Sequence, residues 1–195
     1  MASLIRATNL RGYGDLVREL GGDPQAFLSR FHIPAGVEQE EDAFVSFESF
    51  VRMLETTAED LSCPDFGLRL SSWQGLDILG PIAVIARNAQ TVLAGLESIA
   101  SYLYVHSPAL KLTVASATAD TDLTFNYEVI GPNLPYVLQG YELSMANGAR
   151  IIRLLAGPDA RPSAICFMHD QHGRDAAYRE GAGLSGAFRP ALVRV

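Results

Sequence analysis

The spacing of apolar residues changes near His106, and this change constrains the fold more than any other feature of the sequence. Before it, apolar residues recur every three or four positions, which is typical of helices with one buried face. After it, two stretches alternate apolar and polar residues, as half-buried strands do. These predicted strands carry Leu110, Leu112 and Val114, then Leu123, Phe125, Tyr127 and Val129. Helices that come first and strands that come later favour an α+β fold over a doubly wound parallel sheet.

Capping residues and glycines mark the ends of the predicted helices. A first helix, from Leu10 to Leu20, stops at Gly21-Gly22, and Asp23-Pro24 starts the next one. Ser46 and Thr91 are placed to cap two further helices, which carry Phe47 to Leu54 and Leu93 to Leu103. A long helix from Tyr136 to Leu155 is predicted between Gly131-Pro132 and Gly157-Pro158.

The remaining segments complete this predicted α+β fold, in which N-terminal helices are followed by a small antiparallel sheet that the long helix covers. Ile78 to Ala86 is expected to be a buried helix, and the acidic stretch Glu38 to Asp42 a solvated loop. The segment Thr118 to Asp122 has the polar composition of a hairpin loop. Near the end of the chain we predict a strand at Ala164 to His169, a short helix at Asp175 to Glu180 and a strand at Phe188 to Val195.

Length, charge and apolar content limit the classes of protein to which the chain can belong. Its 195 residues, of which 48% are hydrophobic, suit one folded domain, residues 1–195. A net charge of -7 opposes binding of this segment to the phosphates of nucleic acid. Its longest apolar stretch is too short to span a bilayer, and the N-terminus lacks a secretory signal. We therefore expect a cytoplasmic protein with no membrane contact, in which Cys63 and Cys166 are buried, reduced thiols.

No pattern in the sequence predicts a catalytic residue set, a metal site or a cofactor site. His169, His172 and Asp175 have the spacing of possible zinc ligands, but they follow a strand as a polar turn would. His106 is placed to interact with the end of a helix and carries no specific haem signature. The glycines at 181, 183 and 186 lack the strand and βαβ unit that a dinucleotide site needs. We therefore expect no enzyme activity, no metal and no cofactor.

The order of these elements is similar to that of a known family. Its anchors are Leu10 to Pro24, the helix from Ser46 to Leu54, Phe66-Gly67-Leu68, the pair of helices from Leu79 to Leu103, the hairpin, and Ile165 to His169. Together they resemble the N-terminal effector-sensing domain of AraC/XylS-type transcription regulators, in the arabinose-binding-like subgroup. The resemblance implies a homodimer that binds a small cytoplasmic effector and reaches DNA only through a C-terminal helix-turn-helix domain. No segment after Tyr178 has the length or basic character of that domain, so we expect it to be absent from this chain.

Aromatic and polar residues at the predicted boundary between sheet and helices are candidates for an effector pocket, because such pockets are mostly apolar with a few placed polar groups. The helices Leu93 to Leu103 and Tyr136 to Leu155 would roof this pocket. The candidates are Trp73, Tyr102, His106, Tyr127, Tyr141, Glu142 and Phe167. Two alternatives stay open: a stand-alone ligand-binding or dimerisation module without a DNA-binding half, and a small enzyme that acts on a hydrophobic substrate.

Overall fold

A computed structural model describes residues 3–116, 123–130, 137–160, 162, 164–167, 169–170, 172, 175–182 and 189–190. It confirms the α+β fold class. The helices are α1 (Tyr13–Glu19), α2 (Pro24–Arg30), α3 (Phe47–Asp60), α4 (Phe66–Leu70), α5 (Pro81–Arg87), α6 (Val92–His106), α7 (Leu138–Ala156) and α8 (Asp175–Ala182). The strands are β1 (Leu4–Arg6), β2 (Phe44–Ser46), β3 (Leu110–Ser116), β4 (Leu123–Val129), β5 (Cys166–Phe167) and β6 (Arg189–Pro190).

The predicted caps stand at the helix starts. The Asp23 carboxylate accepts a hydrogen bond from the backbone N–H of Gln25 at 2.9 Å, and Pro24 opens α2. At α6, the Thr91 hydroxyl accepts from the N–H of Ala94 at 3.1 Å. The Ser46 hydroxyl accepts from Ser49 at 3.3 Å and starts α3 in the same way. Each of these side chains satisfies a backbone amide that the helix itself leaves without a partner.

The N-terminal segment forms a strand pair that the apolar spacing does not reveal. β1 and β2 are antiparallel, with Ile5 opposite Val45. Each strand has three residues, which is too short for an alternating pattern to show. The predicted acidic loop before β2 is exposed from residue 39 to residue 42, and a 3-10 turn, Val37–Gln39, leads into it.

The predicted hairpin and long helix are confirmed. β3 and β4 pair in antiparallel register, with Leu112 opposite Tyr127 and Val114 opposite Phe125. The predicted hairpin loop at 118–122 and the predicted helix start at Tyr136 lie outside the described residues. The described part of α7 begins at Leu138 and ends at Ala156, and the Gly157 that follows has a φ of 103°.

The C-terminal part differs from the prediction in detail. The described strand β5 is shorter than the predicted segment, and it pairs with β6 in parallel, so the described strands form three separate two-stranded sheets. The prediction that both cysteines are buried is wrong for Cys166, which is exposed, whereas Cys63 is buried. The two-residue alternation explains this exposure, because Ile165 and Phe167 point inward and are 6% and 2% exposed.

Two hydrophobic clusters hold the described residues together. The main cluster joins helices α1 to α7 and the hairpin. A smaller one consists of Leu68, Ala146, Ala149, Ile165, Phe167 and Tyr178, so it joins α4, α7, β5 and α8. The prediction of a buried helix at Ile78 to Ala86 needs correction, because a 3-10 turn, Leu76–Leu79, precedes α5 and α5 leaves Val84 62% exposed. No helix in the described part of the chain is long and apolar enough to cross a membrane.

Candidate functional site

Helix α7 brings four of the seven predicted site residues into two groups. One group lies under the hairpin, where the rings of Tyr127 and Tyr141 meet edge to face with centroids 5.9 Å apart. The Tyr127 hydroxyl shares a 2.9 Å hydrogen bond with the hydroxyl of Ser144, one turn further along α7. Burial raises the pKa of the Tyr127 phenol, so this hydroxyl stays protonated at neutral pH. The group therefore offers an aromatic surface with a neutral polar group in it.

The second group lies between α7 and α8. The Glu142 side chain is 0% exposed, and its Oε1 accepts a hydrogen bond from the hydroxyl of Tyr178. The Tyr178 ring packs against Phe167 with a centroid distance of 5.7 Å. Among the described residues, no donor reaches the other carboxyl oxygen of Glu142, Oε2. A fully buried acceptor without a donor is rare in folded proteins and calls for a physical explanation.

The carboxyl groups of Glu55 and Asp65 act on that of Glu142 near the start of α7. Burial raises the pKa of Glu142 to about 7, and the negative charges of Asp65 and Glu55 act in the same direction. Glu55 on α3 accepts a 2.7 Å hydrogen bond from the backbone N–H of Gln139, in the first turn of α7. Burial also raises the pKa of Glu55 to about 7. The start of α7 is thus an acidic region, and part of it is shielded from water.

The Gln139 side chain fixes the position of α4 relative to α7. Its Oε1 accepts from the N–H of Gly67 at 2.7 Å, and its Nε2 donates to the carbonyl of Pro64 at 2.9 Å. Gly67 permits this close approach, because a Cβ at that position would lie 2.2 Å from the Gln139 carbonyl oxygen. Asp65 lies between Pro64 and Gly67 in this anchored segment, and its charge acts on Glu142.

A cleft of about 270 Å³ opens beside the second group. Its described lining mixes polar and apolar residues and consists of Leu20, Ser62, Cys63, Pro64, Asp65, Arg69 and His172. The backbone N–H of His172 donates to the Tyr178 hydroxyl at 3.4 Å, so the lining contacts the residue that binds Glu142. Arg69 is paired with Glu19 at 2.7 Å, and the Cys63 thiol donates to Asp65 at 3.4 Å. The lining of the cleft is therefore connected to the buried carboxyl group through the Tyr178 hydroxyl.

Another cleft, of about 320 Å³, lies between α1, α2 and the 3-10 turn at Val37–Gln39. The buried residue Tyr13 is part of its lining, and the Tyr13 hydroxyl already shares a 2.7 Å hydrogen bond with the hydroxyl of Thr57. The described lining of this cleft contains no buried polar atom that lacks a partner. It is the weaker candidate for a binding site.

The other three predicted site residues lie outside the two groups. Trp73 and Tyr102 are 47% and 42% exposed. His106 is buried, and its Nε2 accepts a 2.6 Å hydrogen bond from the Asn9 side chain. Burial, together with the nearby charge of Arg6, lowers the pKa of His106 to about 4, so it is neutral at physiological pH.

His106 belongs to a chain of buried polar side chains. Gln74 Nε2 donates to the Asn9 carbonyl at 2.7 Å, and Asn147 Nδ2 donates to Gln74 Oε1 at 2.7 Å. These bonds connect the end of α6 to α7 through the N-terminal segment. The Nε2 that an axial haem ligand would offer is thus already in a hydrogen bond.

Only two of the three candidate zinc residues, His169 and His172, can be compared in the described structure. The rings of His169 and His172 are 6.1 Å apart between centroids, and the described residues contain no group of three side chains able to hold a metal ion. The Asp175 side chain is not among those described. Of the glycines in the candidate dinucleotide motif, Gly181 lies in α8, and Gly183 and Gly186 lie outside the described residues.

Sequence reasoning missed Glu55, Asp65, Gln139 and Tyr178. A signal exists for Glu55, which is four residues after buried Val51 and three before buried Ala58. That spacing places a carboxylate at the edge of the apolar face of α3. No sequence signal links Tyr178 to Glu142, because 36 residues separate them and their contact depends on how α8 docks.

Comparison with known proteins shows the protein family to which the chain belongs. The family model of the arabinose-binding domain of AraC transcription regulators, N-terminal part, matches residues 21–192. The chain therefore belongs to this family of regulatory domains, whose members are parts of transcription regulators and not enzymes. Particular relatives are the HTH-type transcriptional regulators VirS from two strains of Mycobacterium tuberculosis, CDC 1551 / Oshkosh and ATCC 25618 / H37Rv. Each is 64% identical to this chain over 188 residues, which cover 96% of this chain and 55% of the relative. The chain thus spans about half the length of the curated relatives that it matches.

Proposed function

We propose that this chain senses a small cytoplasmic molecule and controls DNA binding through an attached helix-turn-helix domain. Membership of the AraC-type sensing family supports the first part. The second part is supported by the relatives, which are HTH-type transcriptional regulators about twice as long as the matched segment. The net charge of -7 fits this division, because an acidic sensing domain does not bind phosphates itself.

The observation that carries ligand binding is the buried Glu142 carboxyl group. One of its oxygens has no donor among the described residues, and the Tyr178 hydroxyl links the group to the lining of a cleft. Leaving a buried acceptor unpaired costs about 1–3 kcal/mol, so a ligand that supplies the missing donor recovers that free energy. On this proposal Glu142 and Phe167 contact the ligand, while Tyr127 and Tyr141, on the other side of α7, hold that helix against the hairpin.

The mechanism requires no chemical step. An effector that fits one arrangement of the domain better than another shifts the population by its differential affinity. A coupling free energy of about 1–3 kcal/mol is typical and changes DNA affinity by about 5- to 150-fold. A homodimer fits the same proposal, because two half-sites on DNA are matched by a two-fold protein.

A thermal-shift screen of the chain tests the proposal. We would screen sugars, amino acids, fatty acids and aromatic acids and follow the unfolding midpoint as each concentration rises. A ligand that binds only the folded state raises the midpoint progressively above its dissociation constant. A hit is then tested for its effect on DNA binding by a protein that carries both this domain and a helix-turn-helix domain. Saturable hits that leave DNA affinity unchanged would refute the sensing role.

A further inference from the structure

We propose that the region between α4, α7 and α8 binds the ammonium group of a small organic cation, with Glu142 Oε2 as its principal acceptor. The inference rests on the proposed sensing function and names the class of effector. It assigns Asp65, which lines the nearby cleft, as the second carboxylate of the site.

The geometry around Glu142 leaves one acceptor open. The hydroxyl of Tyr178 occupies Oε1, while Oε2 is buried with no donor among the described residues. Two residues that line the cleft flank this carboxyl group: Asp65, whose charge acts on it, and His172, whose N–H reaches the Tyr178 hydroxyl. On this proposal the donor enters from the cleft and passes Asp65 to reach Glu142.

The charges around Glu142 indicate which class of ligand can donate a hydrogen bond to Oε2. The negative charges of Asp65 and Glu55 act on Glu142. The one guanidinium in the described lining, Arg69, is already paired with Glu19. An anionic ligand would therefore be repelled, and a neutral hydroxyl would supply a hydrogen bond but no countercharge. An ammonium group supplies both, and charge-assisted hydrogen bonds are about twice as strong as neutral ones.

Entry of the ligand requires a small outward shift of α8, because no solvent reaches Oε2 in this arrangement. Such a shift involves the small cluster of Leu68, Ala146, Ala149, Ile165, Phe167 and Tyr178, which is separate from the main core. On this proposal α8 moves while the main core stays packed. Binding at Glu142 would thereby be linked to the position of the last described helix.

The test is a titration of the full chain with ethylammonium, ethanolammonium and 1,4-diaminobutane, followed by calorimetry and by the thermal midpoint. Tetramethylammonium at equal ionic strength is the control ligand, since it has the charge but no N–H donor. We expect saturable binding of at least one primary ammonium ion and none of tetramethylammonium. Glu142→Gln should weaken binding by about tenfold or more, as expected for loss of a charge-assisted hydrogen bond. Glu97→Gln, at an exposed position of α6, is the matched control and should bind as the wild type does.

Asp65→Asn provides a second variant at a half-buried position, in case Glu142→Gln does not fold. It should weaken ammonium binding several-fold, because one carboxylate of the pair loses its charge. Three results would overturn the proposal: no saturable binding of any primary ammonium ion, equal binding of tetramethylammonium, or unchanged affinity in both variants. If another ligand class controls DNA binding while ammonium ions do not bind, the inference fails and the sensing function stands. If ammonium ions bind at Glu142 without affecting DNA binding, the site stands and the sensing function fails.

Discussion

Gly67→Ala should separate α4 from α7 and destabilise the whole site region. The added Cβ would lie 2.2 Å from the carbonyl oxygen of Gln139 and 3.1 Å from the backbone nitrogen of Leu143. Ordinary contact begins near 3.4 Å, so the two backbones must move apart by roughly 1 Å. Overpacking of this kind costs about 1–3 kcal/mol. The same movement stretches the 2.7 Å bond from Gly67 N–H to Gln139 Oε1, which adds about 1 kcal/mol.

We therefore expect a loss of about 2–4 kcal/mol in the free energy of unfolding, measured by urea denaturation. With a slope of about 2 kcal/mol/M, the midpoint would fall by about 1–2 M. The matched control is Gly148→Ala in the middle of α7, where no atom lies within 4 Å of the added Cβ. That substitution should stabilise the protein by about 0.5–1 kcal/mol through helix propensity. A Gly67→Ala protein within about 0.5 kcal/mol of wild type would refute the close helix contact.

Three further substitutions test other parts of the structure. Tyr13→Phe removes the buried 2.7 Å bond to Thr57, and urea denaturation should show a loss of about 1 kcal/mol. Thr91→Ala removes the cap on the N–H of Ala94 and should lower the free energy of unfolding by about 1 kcal/mol in the same measurement. Thr91→Ser keeps a hydroxyl at this position and should retain most of that stability. Glu142→Gln tests a pH effect. In the folded protein the pKa of Glu142 is about 7, whereas the usual value is 4.5. Between these two pH values the folded state binds this proton more tightly than the unfolded state, so the free energy of unfolding of the wild type falls as the pH rises. The free energy of unfolding of Glu142→Gln should therefore rise relative to that of the wild type as the pH increases from 4.5 to 7. A difference between the two proteins that does not change with pH would contradict the raised pKa.

Local signals in the sequence were sufficient to predict most of the helices and the hairpin. Asp23, Ser46 and Thr91 act through backbone amides two or three residues away, so their roles could be predicted without knowledge of packing. The hairpin was predictable because its two strands alternate over seven residues each. β1 and β2 were missed because three-residue strands carry no period, and their pairing joins segments about 40 residues apart. The exposure of Val84 on α5 also depends on which neighbours cover the helix, and sequence does not report that.

The site was less predictable, because it depends on contacts between distant segments. Residue type identified Tyr127, Tyr141 and Glu142 as candidates, and the structure places Tyr127 against Tyr141. It also places Glu142 on the other side of α7, where its partner Tyr178 comes from a separate helix. His106 was a candidate by residue type alone. In the structure it is buried, and its Nε2 accepts a hydrogen bond from the Asn9 side chain.

The most direct test of the central claim is the DNA affinity of a regulator that contains this domain together with its helix-turn-helix domain. The affinity would be measured by fluorescence anisotropy at fixed salt, with and without a ligand that binds the isolated chain saturably. We expect the ligand to change the affinity by at least about fivefold in the wild type. The change should be lost in Glu142→Gln and kept in Glu97→Gln. An equal response of the wild type and Glu142→Gln, or no response in the wild type, would contradict the claim that this domain senses its effector at Glu142.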